Sequence, residues 1–173
     1  RISDQIAKAA VLDVRKTYRF LAKRAQDEGA EIFLSTNVSD VLKNSEGKCS
    51  GVIGKSYEEK IQFNGKIIID ASGFSSIIAK ELGYVKQWKK FGVGAEFEVK
   101  TEKLEYDNWW LMVGQEYSPA GYAWIFPTSE NTARVGVGIG KPDSDVDPTI
   151  RLNELLDKKM GPIKDLGNIE KIE

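Results

Sequence analysis

The amino-acid sequence predicts a mixed fold, in which an α/β half is joined to an α+β half built on an antiparallel β-sheet. Between Tyr18 and Ala25, apolar residues recur three and four positions apart, the spacing of one helical face. Lys66 to Asp70 carries three consecutive isoleucines, as do strands that are buried on both faces of a parallel sheet. Phe91 to Val99 instead alternates between apolar and small or charged residues, which is typical of a half-buried strand.

The first half alternates between predicted strands and helices. For the isoleucine run two pairings are open, because Asn64-Gly65 also suits an antiparallel hairpin turn, and we favour the parallel one. The predicted elements are a strand at Val11–Val14, a helix at Arg15–Glu28 that stops at Gly29, strands at Glu31–Ser35, Val38–Lys43, Cys49–Lys55, Lys60–Phe63 and Lys66–Asp70, and a helix at Ser75–Leu82 that ends at Gly83.

The second half is predicted to be a sheet of short, sequentially connected strands, which favours antiparallel pairing. An acidic linker follows it at Pro142–Pro148. The boundary between the halves falls near Val85–Lys90, which predicts domains at residues 1–87 and 88–173. The predicted elements are strands at Phe91–Val99, Asn108–Gly114, Gly121–Phe126 and Ala133–Gly140, and a helix at Thr149–Lys159.

The composition excludes several classes of function. With 25 basic and 26 acidic residues, the chain gives no electrostatic reason to expect a nucleic-acid partner. It contains no histidine and one cysteine, Cys49, so Ser-His-Asp catalysis and His- or Cys-clustered metal sites are excluded within it, and we predict no metal. No signal-like or membrane-spanning run is found, and the single cysteine fits a reducing cytosol, so we expect a cytoplasmic protein. Since the chain opens at Arg1, we expect it to be an internal segment of a longer protein.

The segment Asp70-Ala71-Ser72-Gly73 joins the isoleucine run to the following helix. Small residues at such a junction let the backbone approach a phosphate or a flavin, and ligands gather at the carboxyl ends of strands in doubly wound folds. The alternative is an ordinary turn in which Ser72 or Ser75 caps the helix. From these residues alone, the alternative is favoured.

Two neighbouring strands of the second half carry complementary rows of large and small residues. Because side chains alternate along a strand, each row lies on one face. A groove with flat apolar walls, suited to an isoprenoid chain or a flavin edge, is one interpretation. The other is that the glycines only give the rings room to pack. The rows are Tyr122, Trp124 and Phe126, and Gly136, Gly138 and Gly140.

In order along the chain, these segments resemble the geranylgeranyl reductases, a branch of the FAD-dependent group that includes p-hydroxybenzoate hydroxylase. The most specific match is the family's Y-x-W-x-F-P…V-G motif. Val14 stands where the family commonly has arginine, and the N-terminal GxGxxG and C-terminal Gly-Asp segments of the flavin site lie outside this sequence. The matching segments are Leu12-Asp13-Val14-Arg15-Lys16, Asn37 to Val41, Ile67 to Gly73 with Ser76, and Tyr122 to Pro127 with Val135-Gly136.

The resemblance implies a partial FAD-binding Rossmann-like domain at residues 1–87 and a substrate-binding sheet at residues 88–173. It also implies that Val38 meets the adenine through its backbone. The implied cofactor contacts are Arg15, Val38, Asp70, Ala71, Ser72 and Gly73, and the implied substrate contacts are Tyr122, Trp124, Phe126, Pro127, Gly136 and Gly138.

The activity implied by the resemblance is an FAD-dependent reduction of double bonds in geranylgeranyl chains of lipid or pigment precursors. An external donor, NAD(P)H or ferredoxin-like, would reduce the flavin, and a lipid substrate implies peripheral membrane contact. No catalytic residue is identified, although Tyr122 is a candidate proton donor. The alternatives are another flavoprotein dehydrogenase or monooxygenase of the superfamily, and a lipid-binding module without redox chemistry.

Overall fold

The computed structural model describes residues 10–86 and 88–172 of the 173-residue chain. These residues form two compact units, one within residues 18–88 and one that combines residues 10–17 with 89–172. The helices are α1 (Val14–Asp27), α2 (Ile77–Glu81) and α3 (Pro148–Asp157), with 3-10 turns at Gly73–Ser75 and Gly161–Leu166. The strands are β1 (Thr36–Lys43), β2 (Cys49–Ser56), β3 (Glu59–Asn64), β4 (Phe91–Thr101), β5 (Trp110–Val113), β6 (Tyr122–Pro127), β7 (Thr132–Lys141) and β8 (Ile169–Lys171).

Helix α1 confirms the predicted helix to within one residue at each end. The strand predicted at Val11–Val14 is wrong, because the Asp13 carboxylate accepts a hydrogen bond of 3.0 Å from the backbone N–H of Lys16 and starts the helix there. After α1, Gly29 has a φ of +90° and so ends the helix, as predicted.

The first unit contains a three-stranded antiparallel sheet in the order β1-β2-β3. The strands predicted at Val38–Lys43, Cys49–Lys55 and Lys60–Phe63 are confirmed. The turn between β1 and β2 forms because Asn44 Oδ1 accepts hydrogen bonds from the backbone N–H groups of Glu46 and Lys48, at 3.0 and 2.9 Å.

Two strands predicted in the first unit are wrong. At Glu31–Ser35 the chain turns instead, with Ser35 in the left-handed region at a φ of +52°. Lys66–Asp70 is irregular, and no described strand pairs with it, so it has neither the parallel nor the antiparallel partner. Without such a partner Ile67 and Ile69 are both 82% exposed rather than buried.

The second unit contains a five-stranded antiparallel sheet in the order β5-β6-β7-β4-β8. The four predicted strands are confirmed as β4 to β7, and β8 adds an edge strand beside β4. The helix predicted at Thr149–Lys159 is confirmed as α3, which Asp147 caps by accepting hydrogen bonds from the N–H groups of Thr149 and Ile150.

One face of this sheet is sealed by α3 and the following 3-10 turn. The alternate residues of β6 and β7 lie there, together with apolar side chains of the helical segments. These buried side chains include Ala123, Ile125, Val135, Val137, Ile139, Leu152, Leu155 and Ile163. The predicted mixed fold with an antiparallel sheet is therefore confirmed.

Candidate functional site

The opposite face of the five-stranded sheet, which we call the open face, carries the aromatic row predicted from the sequence. Tyr122, Trp124 and Phe126 share this face, because the residues between them point into the core. The Trp124 and Phe126 rings stack with centroids 6.1 Å apart, and Tyr122 tilts against Trp124 at 5.7 Å. The three rings form one continuous aromatic surface along β6.

The glycine row of β7 lies beside the aromatic row, with Tyr122 opposite Gly138 and Trp124 opposite Gly136. A Cβ on Gly136 would come within 2.2 Å of Trp124 Cζ2, and a Cβ on Gly138 within 3.7 Å of Trp124 Cζ3. Gly136 is accordingly buried and Gly138 only half-buried. The predicted groove is therefore filled at Gly136 by the indole, so this glycine seats the ring rather than offering its backbone to a ligand.

Pro127 departs from the site predicted by the motif. It is buried and pairs with Ala133, a member of the core, so it lies on the sealed face rather than beside the three rings. The alternation of the strand explains this placement, because Pro127 is an odd number of residues from Tyr122, Trp124 and Phe126.

Three residues of the open face were not identified from the sequence. Leu111 and Val113 on β5 are opposite Trp124 and Tyr122 and are 63% and 72% exposed. On β4, Glu96 is opposite Gly136 and accepts a hydrogen bond of 2.8 Å from Trp124 Nε1. The alternation along these strands was readable, but the register that brings the residues together was not.

In the first unit, Asp70 and Ser72 are occupied in holding α2. Asp70 Oδ2 accepts from the N–H of Ala79 at 3.0 Å, and Ser72 Oγ accepts from the N–H of Ile77 at 2.9 Å. The hydroxyl of Ser72, with the N–H groups of Ala79 and Ser72, holds the pKa of Asp70 below its usual value. The helix-capping alternative therefore holds for the Ser72 hydroxyl, whereas Asp70 was not part of it and Ser76 occupies the N-cap position itself.

The capping carboxylate of Asp70 limits which ligand groups can bind at the loop formed by residues 70–73. Because the Asp70 carboxylate already supplies a negative charge at the start of α2, a phosphate at the same place would be repelled. Ala71 and Gly73 are exposed, and a Cβ on Gly73 would meet no described atom within 4 Å. The carboxylate thus disfavours a phosphate beside Asp70, and the contact of Ala71 and Gly73 with the cofactor stays a prediction.

The other two predicted cofactor contacts lie elsewhere. Val38 is half-buried on β1 opposite Gly54, and a bulge follows it at Ser39. Arg15 is exposed in the first turn of α1, where the sequence predicted the helix to begin, and its contact with the cofactor stays a prediction. An open cavity of about 390 Å³ lies beside the loop, with Lys48, Cys49 and Tyr84 in its lining.

Among residues 10–86 and 88–172, no group of three or more carboxylate, histidine or cysteine side chains is arranged to hold a metal ion. Within the same ranges, the helices are too short or too polar to span a bilayer.

Residues 92–173 match the model of the geranylgeranyl reductase catalytic domain. The chain is 32% identical over 158 residues to a digeranylgeranylglycerophospholipid reductase of Methanopyrus kandleri, which covers 90% of the chain and 41% of that protein. It is 30% identical over 161 residues to a second such reductase, from Methanococcoides burtonii, with 89% and 38% covered. The chain thus spans about two fifths of the length of these curated relatives.

Solved structures show the same fold. A geranylgeranyl bacteriochlorophyll reductase-like protein from Thermoplasma acidophilum matches with a TM-score of 0.83 at 23% identity, over 98% of this chain and 44% of that one. A flavin-dependent brominase matches with a TM-score of 0.68 at 22% identity, over 91% and 41%. The match of residues 92–173 to the family model and the curated reductases that align with about 90% of the chain show that the chain belongs to the geranylgeranyl reductase family.

Proposed function

We propose that the full-length protein is an FAD-dependent reductase that saturates double bonds in the geranylgeranyl chains of lipid or pigment precursors. In this proposal, residues 1–87 contribute part of the FAD site and residues 88–173 bind the isoprenoid chain. The membership of the geranylgeranyl reductase family supports the reaction class.

The observation that carries the substrate proposal is the apolar character of the open face. Leu111, Val113 and Tyr122 are 63%, 72% and 49% exposed, although all three lie in regular strands of a well-packed sheet. A contiguous apolar surface of this kind marks a binding site more often than a structural feature. Because β5 and β6 pair side by side over four residues each, their apolar side chains adjoin, which suits an extended hydrocarbon chain.

When FAD is bound in its reduced form, it would supply the hydride that adds to one carbon of the double bond, and a proton must reach the other carbon. The residues of this chain would hold the prenyl chain against the aromatic row and keep water from it. Tyr122 is the candidate proton donor, because its phenol lies at the exposed edge of that row.

The cofactor contacts that we propose are Val38, through its backbone, and the exposed loop at Ala71 and Gly73. Asp70 and Ser72 would act by holding that loop in place through the cap of α2. We further propose NAD(P)H or a ferredoxin-like protein as the electron donor. A cytoplasmic location with peripheral membrane contact would bring the open face to lipid substrates.

The open face can be tested with Leu111→Gln and Val113→Gln in the full-length protein. We expect KM for long prenyl substrates to rise roughly fivefold or more for each variant, because contact with such a side chain is worth about 1 kcal/mol or more. Flavin content and melting temperature should stay near those of the parent protein, since both side chains are largely exposed. KM for substrates with short prenyl chains should rise less.

Ile150→Gln is the matched control, because Ile150 is 65% exposed on α3. It should change neither KM nor flavin content. Unchanged KM in both strand variants would remove the open face from substrate binding. A full-length protein that purifies without flavin would favour the lipid-binding module, and one that oxygenates or halogenates its substrate would favour the other flavoproteins.

A further inference from the structure

A single row of three residues crosses three strands of the open face. Trp124 on β6 is opposite Gly136 on β7, and Gly136 is opposite Glu96 on β4. Two strand spacings separate β6 from β4, a distance of about 9.5 Å. Because Gly136 has no side chain, the indole of Trp124 can extend across β7 and reach Glu96 on β4.

The indole ring is held from several sides. Its Nε1–H donates to Glu96 Oε2 at 2.8 Å, and such a bond to a carboxylate is stronger than one between neutral groups. Glu96 Oε1 in turn lies 3.7 Å from the Nε of Arg134, which puts a positive charge beside the acceptor. Ring atoms of Trp124 lie 3.7 Å from the Cβ positions that Gly94 and Gly138 lack, which fixes the area that the ring covers.

We propose that Glu96 is a positioning residue, which fixes the Trp124 indole across β7 and thereby sets the depth of the surface that receives the prenyl chain. The inference rests on the proposed function, because it assumes that the prenyl chain binds on the open face. Without the bond, only the ring contacts within the aromatic row and the packing on the glycines hold the indole, so it can turn more readily and uncover Gly136 and Gly138. The surface would then be deeper and less defined, which would weaken the binding of a long chain.

The indole itself supplies a direct readout. In the full-length protein labelled with ¹⁵N-tryptophan, the Nε1–H signal of Trp124 can be assigned from its loss in Trp124→Phe. Glu96→Ala should move this signal upfield in the proton dimension, because a strong acceptor is removed. Glu96→Gln should move it less, since an amide oxygen still accepts. Glu98→Ala is the matched control, because Glu98 lies two residues along the same strand on the same face, and it should leave the signal in place.

The substrate readout runs on the same variants. Glu96→Ala should raise KM for long prenyl substrates about tenfold, the factor expected for loss of a hydrogen bond to a charged group. The rate of flavin reduction by the electron donor should stay unchanged, and Glu96→Gln should recover most of the affinity. A purely structural role predicts instead that KM, the rate of flavin reduction and the melting temperature change together.

The outcomes separate this inference from the proposed function. An unmoved Trp124 signal in Glu96→Ala would overturn the positioning role, whatever the substrate is. A moved signal with an unchanged KM would overturn the link to substrate binding. A parent protein that reduces no prenyl substrate would contradict the proposed function alone and leave the indole result standing. If Glu96→Ala does not fold, Glu96→Gln provides the test. Replacing the carboxylate by a neutral amide should still shift the Nε1–H signal of Trp124, and an unshifted signal would overturn the inference.

Discussion

At the scale of single residues, the two glycines of β7 that face the aromatic row have different surroundings. A Cβ on Gly136 would lie 2.2 Å from Trp124 Cζ2 and 2.9 Å from the carbonyl oxygen of Ala95. A Cβ on Gly138 would meet no atom closer than 3.7 Å, which is ordinary contact. Glycine is therefore required at position 136, whereas position 138 has room for a small side chain.

We expect Gly136→Ala to lower the free energy of unfolding by about 1–3 kcal/mol, the usual cost of forcing an extra carbon into a packed site. Gly138→Ala should change it by less than about 0.5 kcal/mol, because alanine also reduces the conformational freedom of the unfolded chain. Urea unfolding of the two variants beside the parent protein measures both effects. Equal losses would show that the indole does not occupy the space above Gly136.

At the scale of elements, α2 depends on a cap that titrates. The hydrogen bonds from the Ser72 hydroxyl and from two backbone N–H groups hold the pKa of Asp70 below its unfolded value of about 3.9. Ionised Asp70 therefore stabilises the folded state at any pH above that value. This stabilisation is lost as the pH falls below about 4 and through the folded-state pKa.

Asp70→Asn should accordingly lower the melting temperature at neutral pH, and the difference from the parent protein should narrow below about pH 4. Melting curves from pH 7 down to about pH 3 test this directly. Glu130→Gln, in the exposed turn between β6 and β7, removes the same charge and should have a much smaller effect at pH 7. A difference for Asp70→Asn that stays constant across this range would contradict the role of the ionised cap.

The elements also show which parts of the fold could be predicted from the sequence. Strands β4, β6 and β7 were predicted because apolar residues alternate along each with glycines, aromatic rings or charged residues. Val11–Val14 failed because apolar content was taken for a strand where Asp13 caps a helix. Glu96 needed the register between strands, which short-range patterns do not carry, whereas the face of Pro127 could be read from the alternation along β6.

At the scale of the whole molecule, the isoleucine run at residues 67–69 is the place where this chain and a full-length protein should differ. Ile67 and Ile69 are 82% exposed here, yet the run has the composition of a strand buried on both faces. The curated relatives are more than twice as long as the chain, which covers 41% of one and 38% of another. Additional residues in such a protein can therefore cover the run.

We expect Ile69→Lys to change the melting temperature of the 173-residue chain by no more than about 2 °C, since the side chain is exposed. In the full-length protein the same change should lower it by roughly 5 °C or more, because a charge would enter a buried strand. Ile150→Lys, on the exposed side of α3, should be tolerated in both. Equal and small effects of Ile69→Lys in both proteins would show that the run stays exposed.

The way Trp124 fills the space above Gly136 has a consequence for how these two positions can change over evolutionary time. A side chain at position 136 fits only if Trp124 is first replaced by a smaller residue. A smaller residue at position 124 in turn leaves a void above Gly136 until position 136 carries a side chain. Either substitution alone therefore lowers the stability, so positions 124 and 136 are coupled and can change readily only together. Leu111 and Val113 are largely exposed on the same face and can change one substitution at a time, so under the proposed function adaptation to new chain lengths should begin there.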